Sequence, residues 1–248
     1  MHEGLHISLK AETLGVLWGV PITNTTVMSV IATLLLVFLG WRFGKDLRKI
    51  PSRTQAFFEL LFDTLVDYFE SVLGSRAHAL RFFPLLATLF LFILMGNWLG
   101  LIPGIGSLTM HSAHEGGAMV SLLHPISVDM NVTLALAIIA FLVIEVSGIA
   151  FLGIRKHLGK FFSLRSPLAF FVGLIEFVSE WVRIISFSFR LFGNMFAGKT
   201  LILVATFFVP FLLPVPLMLY ETLVGFIQAA LFTLLTLFFI KLAMSEAH

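Results

Sequence analysis

Long apolar runs dominate this chain, and they limit what it can fold into more than any other feature. The runs 25–43, 81–102 and 127–154, and the longer stretches 167–208 and 211–244, match or exceed the roughly 20 residues that a helix needs to cross a bilayer. Of the 248 residues 58% are hydrophobic and only 12% charged, whereas a soluble domain carries about 25% charged residues. A bilayer core offers no water to backbone groups, so spanning segments must close their hydrogen bonds internally, as helices do. The expected fold is an all-α integral membrane protein, one membrane domain over 1–248 with about five membrane helices.

The charges between the runs are patterned. Arg42, Lys45, Arg48, Lys49 and Arg53 form a basic cluster after the first run, and Arg155, Lys156, His157, Lys160 and Arg165 form a second basic loop after the third. The positive-inside rule places both in the cytoplasm, with the amino terminus outside and the carboxyl terminus inside. The stretch 51–73 sets Phe57, Phe58, Leu61, Phe62, Leu65 and Phe69 at helical spacing against Glu59, Asp63, Asp67 and Glu70. That pattern excludes a span and predicts an amphipathic helix lying in the interface. Residues 103–126 read as a polar outer loop opened by Pro103-Gly104-Ile105-Gly106. Residues 1–24 lack the basic start and cleavage site of a removable signal.

Several functions are excluded. The net charge of +2 is scattered between apolar runs, which argues against nucleic acid as a partner. Without cysteine there is no thiolate metal site and no thiol nucleophile. The loop residues His111, His114, Glu115 and His124 follow no regular ligand spacing, so neither a metal nor another cofactor is expected. No H-E-x-x-H, G-x-S-x-G or P-loop sequence occurs, so no catalytic residues and no ATP site are assigned.

Charge at membrane depth is what needs a purpose, because an ionised side chain there costs about 2.5 kcal/mol or more. The stretch 167–208 contains Glu176, Glu180, Arg183, Arg190 and Lys199. Glu176, Arg183 and Arg190 repeat at seven-residue intervals, and Asn194 and Ala197 continue the same helical face. Glu221, Gly225 and Gln228 form a second polar stripe on the last run. Gly193, Ala197, Gly198 and Gly225 are small enough to let another helix approach closely. Arginine keeps its proton, so Arg190 suits a fixed positive charge, while the glutamates suit proton carriage. The competing readings are a structural ion pair for Arg190 and Glu221, a solvated helix end for Glu176 and Glu180, and a snorkelling anchor for Arg183. Ion translocation is the default function. A stand-alone secondary transporter or channel is the alternative, although no inverted repeat is visible.

The segment Ser188-Phe189-Arg190-Leu191-Phe192-Gly193-Asn194-Met195-Phe196-Ala197-Gly198 closely resembles the R-L-F-G-N-M-x-A-G signature of subunit a of the F-type ATP synthase. The likeness extends to Asp129-Met130-Asn131-Val132-Thr133-Leu134 and to the Glu221 and Gln228 pair. The resemblance implies a non-catalytic, proton-translocating stator subunit whose last two helices form a long, tilted hairpin against a rotating ring of c subunits. Subunit b of the peripheral stalk, the rest of the synthase and membrane lipid are the other implied partners. A bacterial inner membrane is the implied location, with an organellar inner membrane as the alternative.

By this resemblance Arg190 is the essential charge that meets the ring carboxylate and separates two offset half-channels. Glu221, Gln228, Asn194 and Lys199 belong to the outer half-channel, with Asp129 and Asn131 near its mouth and Glu145 on the same path. Glu176 and Ser179 belong to the cytoplasmic half-channel, and Gly193, Ala197, Gly198 and Gly225 face the ring. Lys199 stands where some members carry a glutamate, and Glu221 where some of those carry a histidine. A Lys199–Glu221 pair is therefore expected in the outer path.

Overall fold

The computed structural model describes residues 11–45, 47–105, 108–111, 119–161, 167–210 and 212–245. His114, Glu115 and Arg165 lie outside these residues, as do the side chains of His111 and Lys160. The described chain opens with an antiparallel hairpin of β1 (Thr13–Leu17) and β2 (Val20–Thr23). Both residues of its two-residue turn, Trp18 and Gly19, have positive φ, 55° and 84°, as a type I′ turn requires. Thr23 then caps α1 (Asn24–Gly44) by accepting from the Thr26 amide. Ser52 caps α2 (Arg53–Leu73) in the same way, and Gly74, with φ 74°, ends it in a left-handed turn.

Next come α3 (Arg76–Gly100), a short hairpin of β3 (Thr109–His111) and β4 (Met119–Ser121), and a 3-10 turn at Ile126–Val128. The rest is α4 (Met130–Leu152), α5 (Ile154–Phe161), α6 (Pro167–Phe208) and α7 (Pro214–Met244). Among the described residues, five helices are long and apolar enough to cross a membrane: α1, α3, α4, α7 and the Phe170–Phe208 part of α6. The fold is an all-α, multi-pass membrane protein, with the two small hairpins added to it. The basic segment after the third run, expected from sequence to be a loop, is partly helical. Gly153, with φ 80°, interrupts the helix, and α5 then carries Arg155, Lys156 and His157.

The residues group into two compact units, the first formed by 1–48, 89–133 and 190–230, the second by 49–88, 134–189 and 231–248. Thus α3, α4, α6 and α7 each contribute to both. The first unit is built around Met28 and Ala32 of α1 and Ile126, with Phe92, Met95 and Leu99 of α3 packed on them. In the second, Val66, Phe69 and Val72 of α2 meet Ala79, Phe82 and Leu86 of α3, Ile144 of α4, and Leu237 and Ile240 of α7. The three-residue spacing on α2 buries one stripe and leaves Asp63 and Asp67 exposed on another, the amphipathic pattern of its sequence.

Candidate functional site

The second unit contains a cavity of about 210 Å³. Its lining comes from Glu145 of α4, His157 of α5, four residues of α6 (Glu176, Ser179, Glu180 and Arg183), and Phe239, Leu242 and Ala243 of α7. The α6 positions follow three-to-four spacing and so share one helix face. Arg183 donates to the Glu180 carboxylate at 2.5 Å and stands 3.8 Å over the ring of Phe239. A largely buried arginine side chain thereby gains an anion and a π face. Glu145 Oε2 lies 2.8 Å from His157 Nε2. The imidazole rests against Gly148, where a Cβ would come within 2.6 Å of its Cε1. The Ser179 hydroxyl donates to the Ile175 carbonyl at 2.7 Å. At about 30 Å³ per water, the cavity has room for several.

The first unit holds a larger cavity of about 420 Å³, with Asn97 of α3, Lys199 and Thr206 of α6 and Glu221 of α7 on its polar wall. Glu221 is 3% exposed, and its Oε2 has no hydrogen-bond partner among the described residues. Its carboxylate fills the space over Gly198, where a Cβ would overlap it. A buried carboxylate needs a polar partner, and the cavity has room for water. Asn97, fully buried, donates to the Gly225 carbonyl at 3.0 Å and accepts from the Ser127 hydroxyl.

Lys199 Nζ lies 2.9 Å from Nε2 of His124, a residue 6% exposed. The other ring nitrogen, Nδ1, is 3.3 Å from the Pro125 carbonyl oxygen. An ammonium can only donate, so Nε2 accepts and the ring proton sits on Nδ1, facing Pro125. Burial, reinforced by the lysine charge, lowers the His124 pKa from 6.5 to about 4. The ring is therefore neutral at neutral pH and able to hold the ammonium.

The structure thus brings Glu176 and Ser179 to one cavity, and Glu221 and Lys199 to the other. Glu145 departs from the sequence expectation, because it lines the cavity of Glu176 and pairs with His157. It follows Asp129 by roughly four turns of helix along α4. Lys199 does not pair with Glu221 but with His124. Consecutive helical residues point about 100° apart, so Gly198 receives the carboxylate while Lys199 turns aside.

Gly198 and Gly225, expected to face a ring, are covered from within the chain, by Glu221 and Asn97 respectively. A Cβ at Gly193 would meet nothing within 4 Å, and Ala197 is exposed. Asp129 is buried, accepting from the Thr25 hydroxyl at 2.7 Å and the Asn131 amide at 2.9 Å, which makes it the N-cap of α4. Gln228 is buried on α7, and neither it nor Asp129 is among the residues lining the larger cavity. Arg190 is half-buried, and its carbonyl accepts from the exposed Asn194 side chain at 2.9 Å. Sequence reasoning missed Asn97, His124 and His157 as site residues. A lone asparagine deep in an apolar run was the available signal for the first; the histidines carried none.

The matches to known proteins agree with this architecture. Residues 26–241 match the family described as ATP synthase A chain. The ATP synthase subunit a of Trichlorobacter lovleyi is 36% identical over 228 residues, covering 91% of this chain and 89% of that protein. Its counterpart in Geobacter sulfurreducens is 33% identical over 250 residues, covering 99% and 93%. That of Moorella thermoacetica is 34% identical over 221 residues, covering 89% and 90%. With a family match spanning most of its length and relatives aligned nearly end to end, this chain belongs to the ATP synthase A chain family.

Proposed function

We propose that this chain is the stator subunit a in the membrane sector of a rotary F-type ATP synthase. It gives protons access to a ring of c subunits through two offset half-channels, and the resulting rotation powers ATP synthesis in other subunits. The observation that carries this reading is that α6 lines two cavities with no lining residue in common. In chain order Arg190 follows the first set, Glu176 to Arg183, and precedes the second, Met195 to Thr206.

The cavity of Glu221, Lys199 and Asn97 serves as the outer half-channel, with Gln228 and Asn194 extending its polar side and Asp129 and Asn131 shaping its mouth. The cavity of Glu176, Ser179 and Glu145 serves as the cytoplasmic one. A guanidinium is a fixed positive charge, so Arg190 stabilises the ring carboxylate as an anion without relaying its proton. The carboxylate therefore releases its proton to the cytoplasmic side. A proton from the outer side neutralises it before it turns into lipid, where a bare charge would be costly. The membrane potential contributes about 2.3 kcal/mol per charge per 100 mV.

The open positions Gly193 and Ala197 face the ring, against which α6 and α7 lie as a tilted hairpin. The chain works as one membrane domain, with α2 in the interface and subunit b and lipid as further neighbours. Its place is the bacterial inner membrane, with the amino terminus outside and the carboxyl terminus in the cytoplasm. The test is ATP-driven acidification of vesicles containing the assembled complex, wild type against Arg190→Ala, with assembly checked by co-purification of the ring. Loss of pumping with assembly intact is the expected result. Pumping at the wild-type rate would overturn the reading.

A further inference from the structure

We propose that Glu145 and His157 together form a proton-binding station on the wall of the cavity they share with Glu176. The inference rests on the half-channel reading of that cavity and adds to it a pair of residues that the signature on α6 does not contain.

Five ionisable groups line this wall, and they are not equivalent. The Arg183 guanidinium, a fixed cation, occupies the Glu180 carboxylate. Carboxylates and imidazoles are the side chains here that exchange protons near neutral pH when their surroundings allow it. That leaves Glu176, Glu145 and His157. The last two stand 2.8 Å apart, Oε2 to Nε2, close enough to share one proton. Their side chains are 20% and 4% exposed, so the proton is gained from and lost to cavity water through Glu145, while His157 holds its other end. The loaded pair is an imidazolium facing a carboxylate; the unloaded pair is the carboxylate and a neutral ring, with the proton returned to water.

The surroundings are built for such a pair. Gly148 leaves the imidazole a seat against α4 that a Cβ would take away. The charged groups on the cavity wall facing the pair are Glu176, Glu180 and Arg183 of α6, and α7 contributes only Phe239, Leu242 and Ala243 there. Arg155 and Lys156 of α5 are exposed. His78 and Arg81 of α3 are engaged with the ring of Phe151 farther along α4.

The experiment measures initial rates of ATP-driven pumping in inverted vesicles carrying the whole complex, where the bath meets the cytoplasmic face. The ratio of variant to wild-type rate is taken at each bath pH from about 6 to about 8. A capture station matters most where protons are scarce. For His157→Gln the ratio is expected near one at the acidic end, falling to about a tenth at the alkaline end, less than the hundredfold of an obligatory base because Glu176 remains. Glu145→Gln, which keeps a hydrogen-bonding group beside the ring, is expected to show the same slope. It decides the matter if His157→Gln fails to co-purify with the ring. A ratio of one at every pH, or a uniform loss with assembly intact, overturns the proposal, the second by showing a purely structural clasp. Failure of the underlying reading is seen separately, as continued pumping by Arg190→Ala in the same vesicles.

Discussion

Lys199 donates to His124 across 2.9 Å, although 75 residues separate them in the chain. The bond holds an ammonium beside the larger cavity without spending the Glu221 carboxylate on it. It also depends on a ring that stays neutral, and this makes it sensitive to acid.

The His124 pKa is about 4 in the folded chain against 6.5 for the free side chain. As pH falls below 6.5, the unfolded chain takes up a proton that the folded chain refuses until about 4, so stability is full above this window and declines through it. The loss amounts to no more than about 3 kcal/mol. Thermal unfolding of the detergent-solubilised complex between neutral pH and about pH 4 should show it as a difference between wild type and His124→Gln. Parallel curves would mean that the ring is not held neutral.

Gly198→Ala should be damaging, because the added methyl occupies the place of the Glu221 carboxylate. Overpacking of this kind costs about 1–3 kcal/mol, and the displaced carboxylate should also cut ATP-driven pumping. Gly40→Ala, on α1 with nothing within 4 Å of its would-be Cβ, is the control and should leave thermal stability unchanged or slightly raised.

Arg183→Ala removes the cation from a pair whose side chains are only 12% and 14% exposed. Stranding Glu180 should destabilise by about 3 kcal/mol or more, read as a lower unfolding temperature or reduced yield of complex. The double variant Arg183→Leu with Glu180→Leu should be less unstable than the single one. If both are equally impaired, Arg183 acts mainly through its 3.8 Å contact with Phe239.

Asp129→Ala removes two bonds at once, one to the Thr25 hydroxyl and one to the Asn131 amide. The combined loss of a helix cap and a buried acceptor should cost about 1–3 kcal/mol in thermal unfolding. Asp129→Asn, which keeps an acceptor, should recover most of it.

Much of this was legible in the residues alone. The apolar runs announce the spans, the spacing on α2 announces an amphipathic helix, and Arg190 stands out as a candidate because a charge in such a run is costly. Hydropathy, however, counts residues and is blind to rotation about a helix axis. It could not tell that Glu221 would lie over Gly198 while Lys199 turned toward His124. Nor could it assign Glu145, whose partner sits on α5, eight residues long and too short for its period to show among so many charges. The turn at Trp18 and Gly19 escaped for a related reason, since strands of five and four residues leave little alternation to detect.

Gly198 and Glu221 are best regarded as one feature written at two places in the chain. The bare backbone of α6 is a mould, and the carboxylate of α7 is its casting. A change to a bulkier residue at 198 strands the acid, and a change to a shorter one at 221 leaves a hole the size of a carboxylate. Either can be tolerated only if the other moves with it, so lineages that relocate the acidic group are expected to have altered both positions together.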